Sequence, residues 1–279
     1  MPCWKRSSTP RESPFDVVVR FETSWLFEPA VLLAVRALLS LYAFATIFFI
    51  WGWNGTHGHA GEIARSFSYF TWLTYWGLAF YNLVSAIHTF SYWRTGTPLL
   101  ARWPRFLQIA HSMFYTTIVV FPWIVTIVYW ALLYEDGIFT STFQTWTNTS
   151  QHAMNSAYAL FEIVFPRTAP LPWIDLIPVI IILACYLGLA YVTEATQGFY
   201  VYGFLNLKKN SAGSVAGYIV GILVAAVIVF LIVRYLIVLR VWVTEKKLGK
   251  LGKFSTRGQP QYGAVDGGKH VPMHSIVSK

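Results

Sequence analysis

Charge is what this chain has least of. Asp, Glu, Lys and Arg make up 12% of its 279 residues, about half the share that covers a soluble domain. A surface so poor in charge excludes an ordinary water-soluble enzyme and a disordered chain. The net charge of +9 does not argue for nucleic-acid binding, because the cations sit on tails and loops between apolar stretches. Cysteine is almost absent. Cys3 lies in a basic tail and Cys185 in an apolar run, so no disulfide framework is expected. Familiar hydrolase signatures are missing too, since the chain contains neither G-x-S-x-G nor H-E-x-x-H. No apolar leader is visible in the first 29 residues, and no repeat of fixed period occurs, which argues against an inverted-repeat transporter.

Apolar and aromatic residues fill the space. They reach 56% and 18%, with 13 Trp, 16 Tyr and 21 Phe, a balance suited to aromatic belts at two membrane interfaces. Six runs are long enough to cross a bilayer, at 30–53, 66–90, 106–133, 146–165, 173–203 and 215–242. Runs 66–90 and 106–133 contain no charged residue. Lipid cannot satisfy open backbone, so each run is read as a helix. The expected fold is an all-α bundle of six transmembrane helices, with tails at 1–29 and 244–279. Placing both termini in the cytosol puts fifteen of the 21 Lys and Arg on that side and three on the other. That asymmetry favours cytosolic termini. Both N-x-S/T sequons, at Asn54 and Asn148, then lie on the opposite side. Arg36, Arg234 and Arg240 fall near cytosolic span ends and are expected to snorkel. Gly213, Gly217 and Gly221 form a small-residue row suited to close helix contact within or between chains.

Polar residues within spans are costly and mark where to look for function. Thr71 lies about five residues into the second span and His152 about six into the fourth. Both spans run inward from the same face, which puts the two side chains at one depth, roughly 8–9 Å in. A stripe of Thr71, Thr74, Tyr75 and Asn82 surrounds the first, and one of Asn148, His152, Asn155 and Ser156 the second. A histidine beside a hydroxyl can take its proton as it attacks an ester carbonyl. Thr74, Asn148 or Asn155 could then support the oxyanion. Two other readings compete. His88 and His111 share the cytosolic half and could hold one haem, and a polytopic transporter or channel would need a continuous polar row that spans three and six do not supply. His88 and His111 could also pair with Glu162.

Three segments resemble one family. Ser68-Tyr-Phe-Thr-Trp-Leu-Thr-Tyr75, Asn148-Thr-Ser-Gln-His152 followed by Glu162, and Thr196-Gln-Gly-Phe-Tyr-Val-Tyr-Gly-Phe-Leu205 are similar to motifs of the androgen-induced-protein family of multi-pass membrane hydrolases, closest in texture to its fungal branch. The similarity runs over about residues 30–243. It implies hydrolysis of fatty acid esters of hydroxy fatty acids, or a related lipid ester, with Thr71 as nucleophile and His152 as partner. It implies no metal or cofactor, and residence in the endoplasmic reticulum or plasma membrane. No nucleic-acid partner is expected.

Overall fold

A computed structural model describes residues 19–251 apart from 136 and 138. Among them there is no strand, only one isolated bridge between Ser24 and Pro166. The helices are α1 Pro29–Thr56, α2 Gly61–Arg65, α3 Phe70–Thr95, α4 Arg105–Val128, α5 Thr142–Thr149, α6 Asn155–Val164, α7 Leu176–Gln197 and α8 Ala212–Val241. Their limits follow local chemistry. Pro29 starts α1 at a position where no amide hydrogen is needed. Ser141 and Ser211 cap α5 and α8 by accepting from the amides of Gln144 and Ser214. Gly96 and Gly198 end α3 and α7 in the left-handed conformation, at φ 76°. The fifth predicted span therefore stops at Gln197 rather than 203.

Four helices are long and apolar enough to cross a membrane: Pro29–Thr56, Arg105–Leu133, Trp173–Gln197 and Ala212–Lys247. The protein is accordingly a membrane protein with an all-helical fold. The second predicted span falls on α3, which is more polar than these four. The fourth falls on α5 and α6, which are joined by a π turn at Ser150–Met154. A second π turn, Tyr129–Leu133, ends the third span. α1 lies along α3, while α4 is central and touches α3, α6 and α8. Tyr75, Leu78, Ile118, Phe121, Tyr158 and Phe230 form the heart of the core. α7 and α8 turn Ile177, Ile181, Val192, Val220, Val224 and Ile228 outward, an apolar surface of the kind that meets a membrane or another protein. The Gly213, Gly217 and Gly221 row lies on this outer side. No neighbouring helix approaches a Cβ built at any of the three, so the row makes no close contact within the chain.

The ends differ from the expectation of loose tails. Residues 19–28 form a strap across one end of the bundle. The Arg167 amide donates to the Thr23 carbonyl at 2.9 Å. Ser24 Oγ donates to Phe165 O at 2.7 Å and Trp25 Nε1 to Val164 O at 2.7 Å. Arg20 and Arg167 both pair with Glu245 beyond α8. The predicted C-terminal tail begins in a π turn, Trp242–Lys247, and residues 1–18, with Cys3, and 252–279 lie outside the described residues.

The arginines depart from expectation for a related reason. Arg36 does not snorkel. It is fully buried and forms a two-pronged pair with Glu162, at 2.8 and 2.7 Å, while donating to Thr89 Oγ1 and Phe21 O. Arg240 is buried against the carbonyls of Ile163, Pro166 and Thr168. Arg234 donates to Leu171 O and lies over the Trp173 ring. Free backbone carbonyls at the ends of α6 and in the 165–171 connection draw them inward. A guanidinium with five donors satisfies such a cluster better than headgroups do.

Candidate active site

Thr71 is the second residue of α3. A threonine inside a helix normally donates to the carbonyl four residues earlier. Here that position is Phe67, in the 3-10 turn Ser66–Ser68 that precedes the helix. The hydroxyl meets the imidazole of His152 instead, with Oγ1 to Nε2 at 3.3 Å. The two residues are 81 positions apart in the chain, and the fold brings them into contact.

His152 sits in the middle of the π turn between α5 and α6, a distortion often found at functional positions. Its Nδ1 lies 3.2 Å from the Asn148 carbonyl. A carbonyl can only accept, so Nδ1 carries the proton and Nε2 presents its lone pair to Thr71. The Tyr129 ring stacks on the imidazole, with centroids 3.6 Å apart and planes 11° from parallel. Trp130 Nε1 donates to His152 O at 3.1 Å. The ring is therefore fixed by a carbonyl on one edge and an aromatic face. A backbone oxygen, not a carboxylate, holds this edge of the ring, and Glu162 is fully committed to Arg36.

The three residues proposed from sequence as oxyanion supports stand elsewhere. Asn148 Oδ1 accepts from Tyr129 OH at 2.9 Å and its Nδ2 donates to Gln144 O at 2.9 Å. Asn155 Oδ1 accepts from Thr126 Oγ1 at 2.9 Å, and Nδ2 donates to Pro122 O at 3.3 Å. Ser156 joins the same clasp between α4 and α6. Thr74 is buried and lines a different cavity, with Gly77 and Phe114.

Tyr202 is the residue that sequence reasoning passed over. It lies in the connection after α7, within the third motif, whose position in that motif was the available signal. Its hydroxyl is next to the Thr71 side chain and the amides of Phe70 and Thr71. Those amides open α3, whose cap residue Tyr69 gives no side-chain acceptor, so they have no partner within the helix. Burial pushes the Tyr202 phenol up from its ordinary value, which keeps it a hydrogen-bond donor at neutral pH.

No family model, curated protein or solved structure matches this chain.

Two cavities converge here. One is apolar, about 190 Å³, walled by residues such as Ile180, Leu183, Leu187 and Leu223. The other is larger and more polar, about 430 Å³, and includes Asn54, Glu62, Ser66, Gln151 and His152. Thr71, Tyr129, Leu133 and Tyr202 line both.

The histidine pair considered for haem is arranged differently. His88 and His111 meet edge to face at 5.3 Å, with Trp103 4.6 Å from His88, and Phe21 5.0 Å and Tyr81 5.6 Å from His111. Rings in mutual contact inside an aromatic cluster leave no slot for a macrocycle between them. Neither histidine pairs with Glu162, which Arg36 occupies.

Proposed function

We propose that this protein hydrolyses a lipid carboxylic ester within the membrane, with Thr71 as nucleophile and His152 as general base and then acid. The observation that carries the reading is the 3.3 Å approach of Thr71 Oγ1 to an imidazole nitrogen whose opposite nitrogen is committed to a backbone carbonyl. A free hydroxyl is a weak nucleophile, and a hydrogen-bonded base removes its proton as the carbon–oxygen bond forms. Oxyanion charge is met by the Tyr202 hydroxyl and the Thr71 amide, donors fixed before the reaction begins. The resemblance of three segments to the androgen-induced-protein hydrolases supports the same pair of residues. No metal or cofactor takes part in the chemistry.

The topology belongs to this reading. α3 (26 residues) is about 39 Å long, enough to cross, and the α5–α6 unit completes a bundle of six crossings with both termini cytosolic. The site then lies near the non-cytosolic surface of an endoplasmic reticulum or plasma membrane, where lipid and water both reach it.

Membranes bearing wild type, Thr71→Ala, His152→Ala and Thr74→Ala, matched for expression, are treated with a fluorophosphonate probe. Labelling is expected in wild type and Thr74→Ala and lost in the other two. Labelling that survives Thr71→Ala would remove Thr71 from its role.

A further inference from the structure

The position of His152 relative to the two cavities decides which half of an ester goes where. His152 lines the polar cavity and not the apolar one, while Thr71 lines both. In ester cleavage the acid that protonates the departing alkoxide must stand on the leaving-group side. The acyl carbon bonds to Thr71 and its chain must lie on the other side, away from His152. The other side is the apolar cavity, built from the branched side chains of α4, α7 and α8. Resting on the threonine–histidine reading above, we propose that the apolar cavity is the acyl site and that the larger, more polar cavity receives an uncharged, hydroxyl-bearing alcohol such as a glycerol unit.

The size and lining of each cavity narrow the substrate. An apolar cavity of about 150 Å³ holds a benzene ring, so the volume here suits a chain of about eight carbons. The polar cavity presents Asn54, Ser66 and Gln151. Gln151 is buried and its Nε2 has no hydrogen-bond partner, a donor that an alcohol hydroxyl would satisfy. Glu62 in the same wall is paired with Arg65 at 2.7 Å, and no unpaired cation faces the cavity to draw in an anionic leaving group.

The steps balance without a further reagent. Thr71 Oγ bonds to the acyl carbon as its proton moves to His152 Nε2. The tetrahedral centre collapses, the ester carbon–oxygen bond breaks, and the proton passes to the alkoxide in the polar cavity. Water then enters by the vacated side and gives a proton to His152. Its oxygen bonds to the acyl carbon, and the Thr71 ester breaks as the proton returns to Oγ. The products are a carboxylic acid and an alcohol.

The test measures hydrolysis of monoacetylglycerol, monooctanoylglycerol and ethyl octanoate by purified full-length protein in detergent. For wild type, octanoyl is expected to exceed acetyl by at least tenfold in kcat/KM. Ile219→Trp, which fills the apolar cavity, should bring that ratio down at least tenfold, and Leu223→Ala should move the optimum to longer chains. Val220→Trp, on the lipid-facing side of the same helix, should leave the ratio as it is. Gln151→Leu should raise KM for monooctanoylglycerol several-fold while ethyl octanoate is little affected. If wild type cleaves these esters, loses that activity in Thr71→Ala, and yet neither cavity variant moves the chain-length ratio, the acyl assignment is wrong and the threonine–histidine reading stands. Activity undiminished in Thr71→Ala, or no cleavage of any ester, overturns both.

Discussion

A threonine in a helix usually closes its hydroxyl onto its own backbone, and Thr71 escapes that fate only because α3 begins one residue before it. The stripes around Thr71 and His152 were legible because they depend on spacing along regular helices. The partners of Asn148 and Asn155 were not. Asn148 and Asn155 share a helical stripe with His152, yet Tyr129, Thr126 and Pro122 on the neighbouring helix claim them, and no single-chain periodicity reports a neighbour's demands. Tyr202 reaches the site from a loop about 130 residues downstream of Thr71. Replacing it with Phe removes one hydroxyl and keeps the ring that lines both cavities. The expected result is a fall of about 10²-fold in kcat with KM little changed, read from steady-state hydrolysis. A drop confined to KM would make Tyr202 a wall of the cavity and nothing more. Tyr129→Leu removes the stacked face of His152 and its bond to Asn148, and is expected to slow probe labelling by about tenfold or more while Tyr129→Phe, which keeps the stack, falls between it and wild type.

At the scale of elements, the π turn at Ser150–Met154 is the least foreseeable feature and the one that aims the histidine. The sequence pattern there reads as an ordinary helix, because one extra residue in a turn leaves hydrophobic spacing almost intact. Deleting Ala153 would turn it into a regular α-helical turn, leaving α5 and α6 in place but drawing His152 away from Thr71. Probe labelling should vanish while the far-ultraviolet circular dichroism of the purified protein stays helical. The Arg36–Glu162 pair ties α1 to α6 and, through Thr89, to α3. Its partners were each visible in sequence, but their burial was not, since a span-end arginine has the same appearance whether it faces headgroups or the core. Arg36→Leu strands a buried carboxylate and should cost about 3–5 kcal/mol. The double replacement Arg36→Leu with Glu162→Leu should recover much of that loss in thermal unfolding followed in detergent. A double variant less stable than the single would show that the pair contributes more than it costs.

For the molecule as a whole, the apolar runs announced a membrane helix bundle. The strap at residues 19–28 did not announce itself, because its Thr, Ser and Arg side chains resemble those of any polar tail and its bonds to the 164–167 segment and to Glu245 reach 139 to 225 positions along the chain. Six crossings with cytosolic termini predict that single cysteines introduced at residues 20 and 250 react with an impermeant maleimide only after the membrane is opened from the cytosolic side. One introduced at Gly58 should react from the other face. Reaction of 20 and 250 from opposite sides would require an odd number of crossings.

The strap also sets an order of events. Arg20 is made early in translation, and the Glu245 that receives it is made 225 residues later, after α8 has emerged. Residues 19–28 can therefore complete their contacts only when α8 is in place. A nascent chain cut short before Glu245 would leave the strap without the carboxylate that holds Arg20 and Arg167.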